Sequence, residues 1–423
     1  MCSASPGRRA RKVSGPPSSP SLNFDPMSWE AQYLRYTTAL REVARPLAFV
    51  DKEAFLENAH RTLTYAGQLP VRIATKSVRC VPLLHLLREY SSRFQGFLCV
   101  SAREALHLAN EGLDDFLIGY PFYQRAEQEA FLELVRRGKK VIALIDSLEH
   151  AQALNYTFQG TGLHAPVCIE ADVSSDWGWL YFGVRRSPLR TVEAVLWLAQ
   201  ALQRLERVRL IGLLAYEAQI AGVGDRRVGW KSPLVRILKR RSWKEVLTRR
   251  RALVEALRQA GFSLELVNGG GTGSLPDTAR DPSVTEVAAG SAFFAPALFD
   301  HYEKVSFVPA AGFSLEIVRR PAQDLFTCHG GGYIASGAVG PEKLPRPWLP
   351  PSAHFLPHEG AGEVQTPVRI PTPPAFLRIG EPLYFRHAKA GELTQRFPVV
   401  WLVSGERTEA ALPTYAAYSE VWV

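Results

Sequence analysis

Between residues 70 and 296 the chain alternates between two hydrophobic periods. Short apolar, β-branched runs recur at Val71–Thr75, Gly96–Val100, Phe116–Tyr120, Val141–Ile145, Val167–Ala171, Val208–Tyr216, Ser263–Val267 and Thr285–Ala288. Between them lie stretches of helical period such as Ser101–Glu111, Gln124–Gly138, Pro188–Val208 and Pro233–Gly261, with Gly138 and Gly261 as stop signals. Strands alternating with helices predict βα units around a parallel sheet. Eight such strands with seven visible crossovers favour an α/β fold of the closed (β/α)8 TIM-type barrel over an open sheet.

A ninth apolar run, Pro46–Asp51, is expected to leave the barrel and join a second domain. After about residue 300 the helical periods fade. Short alternating runs such as Gly312–Arg319, Glu381–Arg386 and Val399–Val403 replace them and predict a mostly β C-terminal domain. The proline-rich segment Pro341–Pro374 argues for a long ordered loop or linker without regular structure. The expected organisation is a disordered tail at 1–21, an N-terminal segment at 22–69 that partly joins the β domain, a barrel at 70–300 and a β domain at 301–423.

Composition narrows the class. With 423 residues, 46% hydrophobic and 22% charged, the chain suits a large domain plus a smaller one. No apolar run reaches the length of a membrane span. Five scattered cysteines form no CxxC pair, and the Ser-, Pro- and Arg-rich start lacks the apolar core of a signal peptide, so a cytoplasmic protein is expected. The net charge of +9 lies largely in that tail and in Arg236–Arg251. Val246, Leu247, Leu253, Val254 and Leu257 recur there at helical spacing, so the basic cluster reads as the wet face of a barrel helix and not as a nucleic-acid surface.

The candidate chemistry starts at Lys76, where the first strand ends. A lysine at the exit of a buried strand can be partly desolvated, as an imine-forming nucleophile requires; taken alone it is equally a solvated strand end. The seventh strand ends in Asn268-Gly-Gly-Gly-Thr-Gly-Ser274 and the eighth in Ala289-Gly-Ser291. Barrels of this type commonly bind phosphate at the loops after strands seven and eight. The glycines there permit close approach of backbone N–H groups to an anion, although glycines also serve plain turns. The run lacks GxGxxG spacing, so it is not a dinucleotide fingerprint. A lysine and a phosphate cradle on one rim match the aldehyde and the phosphate of pyridoxal 5′-phosphate (PLP).

The order of these elements resembles the fold-type III PLP enzymes, among them alanine racemase, D-threonine aldolase and D-serine dehydratase. More narrowly, Ala215-Tyr-Glu-Ala-Gln-Ile-Ala-Gly-Val-Gly-Asp225, Glu286-Val-Ala-Ala-Gly-Ser291, His329-Gly-Gly-Gly-Tyr333, Gly362-Glu-Val-Gln-Thr-Pro367 and Arg386-His-Ala-Lys-Ala-Gly-Glu392 resemble the bacterial amino acid deaminase/aldolase family, over about residues 30 to 420. The resemblance implies that Lys76 holds PLP as an internal aldimine. It implies that Gly270, Gly271, Thr272 and Gly273, with Gly290 and Ser291, hold the phosphate, and that Tyr216 and Glu217 lie near the ring. Glu217 would sit at the pyridine nitrogen or farther off, unless it pairs with Arg226 or Arg227. Arg185 or Arg186 would contact the phenolic oxygen, Arg186 being the choice, unless both lie at the surface.

The family's aldolases and dehydratases bind a divalent cation through a His-x-Asp or His-x-Cys pair. The corresponding stretch here is His387-Ala-Lys389. A protonated lysine does not ligate, which argues against a metal of that type. Lys389 then becomes a fixed positive charge or general acid with His387 as its proton partner, or simply a salt-bridge partner of Glu392. His329, His354 and His358 read as loop histidines. The reading reached is a PLP-dependent lyase acting on a small, β-hydroxylated D-amino acid, as a homodimer. The rivals are an amino-acid racemase using Tyr333, Tyr384, Tyr415 or Tyr418 of a partner subunit, and a non-catalytic PLP carrier.

Overall fold

A computed structural model describes residues 27–226, 231–338 and 340–418 of the protein. The tail expected at 1–21 lies outside the described residues, as does Arg227. In chain order the strands are β1 (Leu47–Asp51), β2 (Val71–Ala74), β3 (Phe94–Cys99), β4 (Phe116–Ile118), β5 (Val141–Ile145), β6 (Ala165–Glu170), a small hairpin of β7 (Ser175–Asp176) and β8 (Tyr181–Phe182), β9 (Val208–Leu214), β10 (Leu266–Gly269) and β11 (Glu286–Ala289). There follow β12 (Ala311–Ala322), β13 (Leu325–His329), β14 (Arg346–Leu349), β15 (His354–Phe355), β16 (Gln365–Arg369), β17 (Pro382–Arg386), β18 (Val399–Ser404) and β19 (Arg407–Pro413).

Strands β2, β3, β4, β5, β6, β9, β10 and β11 close into a parallel barrel, with β11 pairing back onto β2. These are the eight strands that the apolar runs predict. Every residue of β2, β4, β5, β10 and β11 is buried, which is why these strands read as continuous apolar runs and not as alternating ones. Side chains at the starts of the intervening helices supply local caps: Ser101 accepts from the Glu104 amide at 3.2 Å and Ser147 from the His150 amide at 3.3 Å.

The barrel interior is filled by Leu117, Ile142, Leu144, Cys168, Ile211, Leu214 and Leu266. Nearer the amino ends of the strands, buried Arg72 spans the barrel to Glu286 (2.6 Å) and Asp115 (2.9 Å). Layered side chains make this a packed core and not a pore, so chemistry is confined to the rim at the carboxyl ends of the strands.

The second layer is a nine-stranded sheet with the path β15-β16-β13-β12-β1-β18-β19, in which β17 pairs with both β12 and β14. Strand β1 is internal to it, antiparallel to β12 and parallel to β18. Two expectations are corrected. The proline-rich segment contains β14, β15 and β16. Its prolines fall where a missing N–H is tolerated: Pro347 lies on β14, which pairs only with β17, and Pro367 lies beyond the two residues of β16 that β15 covers. The basic helix, Lys231–Gln259, is not only a wet face, because Arg250 is fully buried. No helix among the described residues is long and apolar enough to cross a membrane.

Candidate active site

Strand β2 ends at Ala74 and the chain turns through a short 3-10 helix, Thr75–Ser77. The amides of Val78 and Arg79 both donate to the Thr75 carbonyl at 2.9 Å. This turn aims Lys76 into a cavity of about 1150 Å³ at the rim between barrel and β domain. The Lys76 Nζ donates to the Tyr120 hydroxyl at 2.8 Å. Tyr120 stands just past β4, and its position after a barrel strand is the signal that would have marked it.

Beside Lys76 lie the loops after β10 and β11. Gly270, Gly271, Thr272, Gly290 and Ser291 all line the cavity. Thr272 Oγ1 ties the loops together by accepting from the Ala292 amide at 3.1 Å. At Gly290 a side chain is excluded, since a Cβ would lie 2.8 Å from both the Ala74 carbonyl oxygen and Ser77. The Ser77 and Ser291 hydroxyls are 3.4 Å apart, so the turn that carries Lys76 adjoins the loop after β11. Two amides expected to be free are already engaged: Gly270 N–H donates to Glu217 at 3.3 Å and Gly271 N–H to Ser274 at 3.1 Å. The amides of Thr272, Gly273, Gly290 and Ser291 have no hydrogen-bond partner among the described residues. Gly273 itself does not line the cavity and packs against the Tyr302 ring.

Glu217 lies beneath this cradle and does not line the cavity. Its carboxylate accepts from Arg250, Ser274 Oγ (2.7 Å), Thr278 Oγ1 and the Gly270 amide. Its ion-pair partner is therefore Arg250 and not Arg226, and the sequence hid this because Arg250 reads as one more residue of a solvated basic run. Arg250 also reaches Asp281 at 3.1 Å and the Ala215 carbonyl at 2.8 Å. Tyr216 does line the cavity, and burial, with Glu217 adjacent, pushes its phenol up to about 12.

On the facing arc, Arg186 lines the cavity, whereas Arg185 stacks on the Tyr181 ring with its guanidinium carbon 4.1 Å from the centroid. Glu170 leaves β6 into the same cavity. Burial pushes its carboxyl up to about 7, and Arg186 opposes that rise. Glu170 was missed because an acid at a strand end has no distinguishing local pattern.

The remaining wall comes from the β domain. Lys389 lines the cavity, with its Nζ 2.8 Å from Ser336 Oγ and 3.2 Å from Glu392. His387 does not join it. Its ring is buried and packs edge-on against Phe294; neither ring nitrogen makes a hydrogen bond of ordinary geometry among the described residues, although the Ala311 backbone is close enough to favour the protonated form. Burial, reinforced by Arg386, depresses its pKa to about 3, so it is a neutral core histidine and not the proton partner of Lys389. No group of three or more His, Cys, Asp or Glu side chains is placed to hold a metal ion among the described residues. Gly391 brings this wall onto the lysine turn: a Cβ there would lie 1.9 Å from the Lys76 carbonyl oxygen.

Residues 50–296, more than half of the chain, match the family model described as the alanine racemase N-terminal domain. Among curated proteins, a 3-hydroxy-D-aspartate aldolase of Paracoccus denitrificans is 24% identical over 60% of this chain, and the match spans 61% of that relative's length. A D-threonine aldolase of an Arthrobacter species is 24% identical over 72% of this chain and 76% of its own. Among solved structures, the D-threonine aldolase of Filomicrobium marinum superposes with a TM-score of 0.77 at 18% identity, covering 89% of this chain and 96% of that one. The D-threo-3-hydroxyaspartate dehydratase of a Delftia species gives 0.72 at 18% identity, covering 89% and 98%.

Proposed function

The chain belongs to the alanine racemase N-terminal-domain family, and from that premise we propose that it is a PLP-dependent lyase of β-hydroxy D-amino acids. One observation carries the reading. A strand-end amine, Lys76, and a glycine cradle with three unpartnered amides, those of Thr272, Gly290 and Ser291, face one cavity among the described residues, and their supporting turns touch at Ser77 and Ser291. The residues present fit the cofactor. Lys76 would hold its aldehyde carbon, Thr272, Gly290 and Ser291 its phosphate, and Tyr216 and Arg186 would border its ring. When bound, PLP supplies an electron sink for the pair left at Cα when a bond there breaks.

The chain's own residues supply position and protons. The Tyr120 hydroxyl accepts from Lys76 and holds the amine toward the cavity. Lys76, whose amine faces the cavity, would take or return the proton at Cα. Lys389 presents a positive charge that stabilises negative charge developing on a β-hydroxyl oxygen. Relatives named as aldolases and a dehydratase support the lyase over the racemase. So does the placement of two candidate tyrosines: Tyr384 and Tyr415 are buried in their own chain, bonded to Thr37 and Glu104, and are not available to a partner subunit.

The test is a visible spectrum of wild type and Lys76→Ala with added PLP, followed by a panel of D-amino acids. Wild type is expected to gain cofactor absorbance that Lys76→Ala lacks, and to cleave or dehydrate β-hydroxy D-amino acids. A wild type that takes up no PLP would overturn the reading. One that takes it up and exchanges Cα–H with solvent without consuming substrate would be a racemase.

A further inference from the structure

The turn that carries Lys76 presents a second cation to the cavity. Arg79 lines the same space, three residues on, and the one side-chain hydrogen bond its guanidinium makes among the described residues runs from Nη1 to Gln395 Oε1 at 2.9 Å. Its Nε is buried without a partner. Of the five N–H donors that a guanidinium offers, the Nε–H is thus buried and unused, while the side chain as a whole is half-buried. Arg79 also has a φ of +49°, a left-handed conformation that a bulky L residue adopts only at a cost. Burial lowers its pKa even though Glu104, Glu392, Tyr415 and Tyr120 lie near enough to raise it, so the neighbouring acids do not fully compensate the charge.

A left-handed backbone, an incompletely paired guanidinium and a cavity-facing position converge on one residue, whose carbonyl also ties the turn to the β domain by accepting from the Tyr415 amide at 2.9 Å. Position says what the cation is for. On one side of Lys76 the turn abuts the glycine cradle through Ser77 and Ser291. On the other side it meets the β domain, where Gln395 reaches Arg79 and Gly391 lies against the Lys76 carbonyl. An anion held by Arg79 would therefore lie at the end of the turn that meets Gln395, whereas the cradle adjoins the turn at Ser77. We infer that Arg79 binds the α-carboxylate of the amino-acid substrate, orienting its Cα over the amine of Lys76. Planar, bidentate pairing with a carboxylate fills the unused donors and is stronger out of water. The inference rests on the proposed function, since it takes the ligand to be an amino acid.

The test compares two amines that differ in the carboxylate. PLP-loaded wild type and Arg79→Met are titrated with D-alanine and with ethylamine, and the spectral change is followed. The half-saturating D-alanine concentration is expected to rise about 10- to 100-fold in Arg79→Met, as loss of a charge-assisted hydrogen bond predicts, with ethylamine unchanged. Arg79→Lys is expected to recover part of the loss. Equal shifts for both amines, or no shift for either, would show a structural role only and overturn the inference. Failure of the functional reading is visible separately, as wild type that takes up no PLP. In that case calorimetry of the unloaded protein with D-lactate decides: binding lost in Arg79→Met supports the carboxylate site, and no binding by wild type removes it.

Discussion

The two walls of the cavity are built in opposite ways. The barrel wall, formed by the loops after β10 and β11, is held from beneath by Glu217, Arg250 and Asp281, whose side chains are all fully buried. The β-domain wall rests on Lys389 and Glu392, whose side chains are 46% and 20% exposed, and on Ser336 between them. Low-dielectric pairing makes the first wall rigid and intolerant of change; solvent-screened pairing leaves the second adjustable at little cost in stability. In a site so divided, the two walls can vary independently.

The sharpest way to break the comparison is to cut the buried network. Arg250→Met leaves the Glu217 and Asp281 carboxylates buried without their cation, and is expected to destabilise the protein by about 3–5 kcal/mol, read by urea unfolding. A loss below about 1 kcal/mol, the range of exposed pairs, would erase the distinction. Acid next separates the network beneath the barrel wall from the β-domain core behind the other wall. His387 stays neutral in the fold down to about pH 3 but takes up a proton near 6.5 when unfolded, so the native state loses stability as pH falls from 6.5 toward 3. Burial alone would raise the Asp281 carboxyl, yet Ser283 and Arg250 hold it below the usual carboxylate range, and its contribution is lost only in stronger acid, below 3.8. His387→Leu is therefore expected to be the more stable protein at pH 5 by roughly 1–2 kcal/mol and to differ little at pH 8, measured by thermal melts at each pH. The smallest effect on stability belongs to Lys389→Met, within about 1 kcal/mol of wild type. Its turnover of a β-hydroxy D-amino acid is expected to fall about 10- to 100-fold while its response to D-alanine is unchanged.

The same division explains what the sequence disclosed. The barrel was legible because its mostly buried strands write themselves as apolar runs, and most of the cradle because its glycines are contiguous. The anchor beneath the cradle was not, since Arg250 sits among Arg249 and Arg251 and nothing local says which arginine of a helix turns inward. The β-domain wall was read only by resemblance, and there the pairing of His387 with Lys389 fails: adjacency in the chain does not place two side chains on one face. Arg79 was overlooked because its marks, a left-handed backbone and a buried unpaired Nε, exist only in the folded chain.

Strand β1 leaves the ribosome long before anything it pairs with. Its five residues are buried on both faces, yet its neighbours Ser314 and Val400 are synthesised only after the whole barrel. Until then a sticky, unpaired strand is tethered ahead of a nascent barrel, a hazard for aggregation during synthesis. Severing the chain between barrel and β domain would accordingly not yield two independent halves: one fragment would keep a strand with no sheet, and the other a sheet missing its middle.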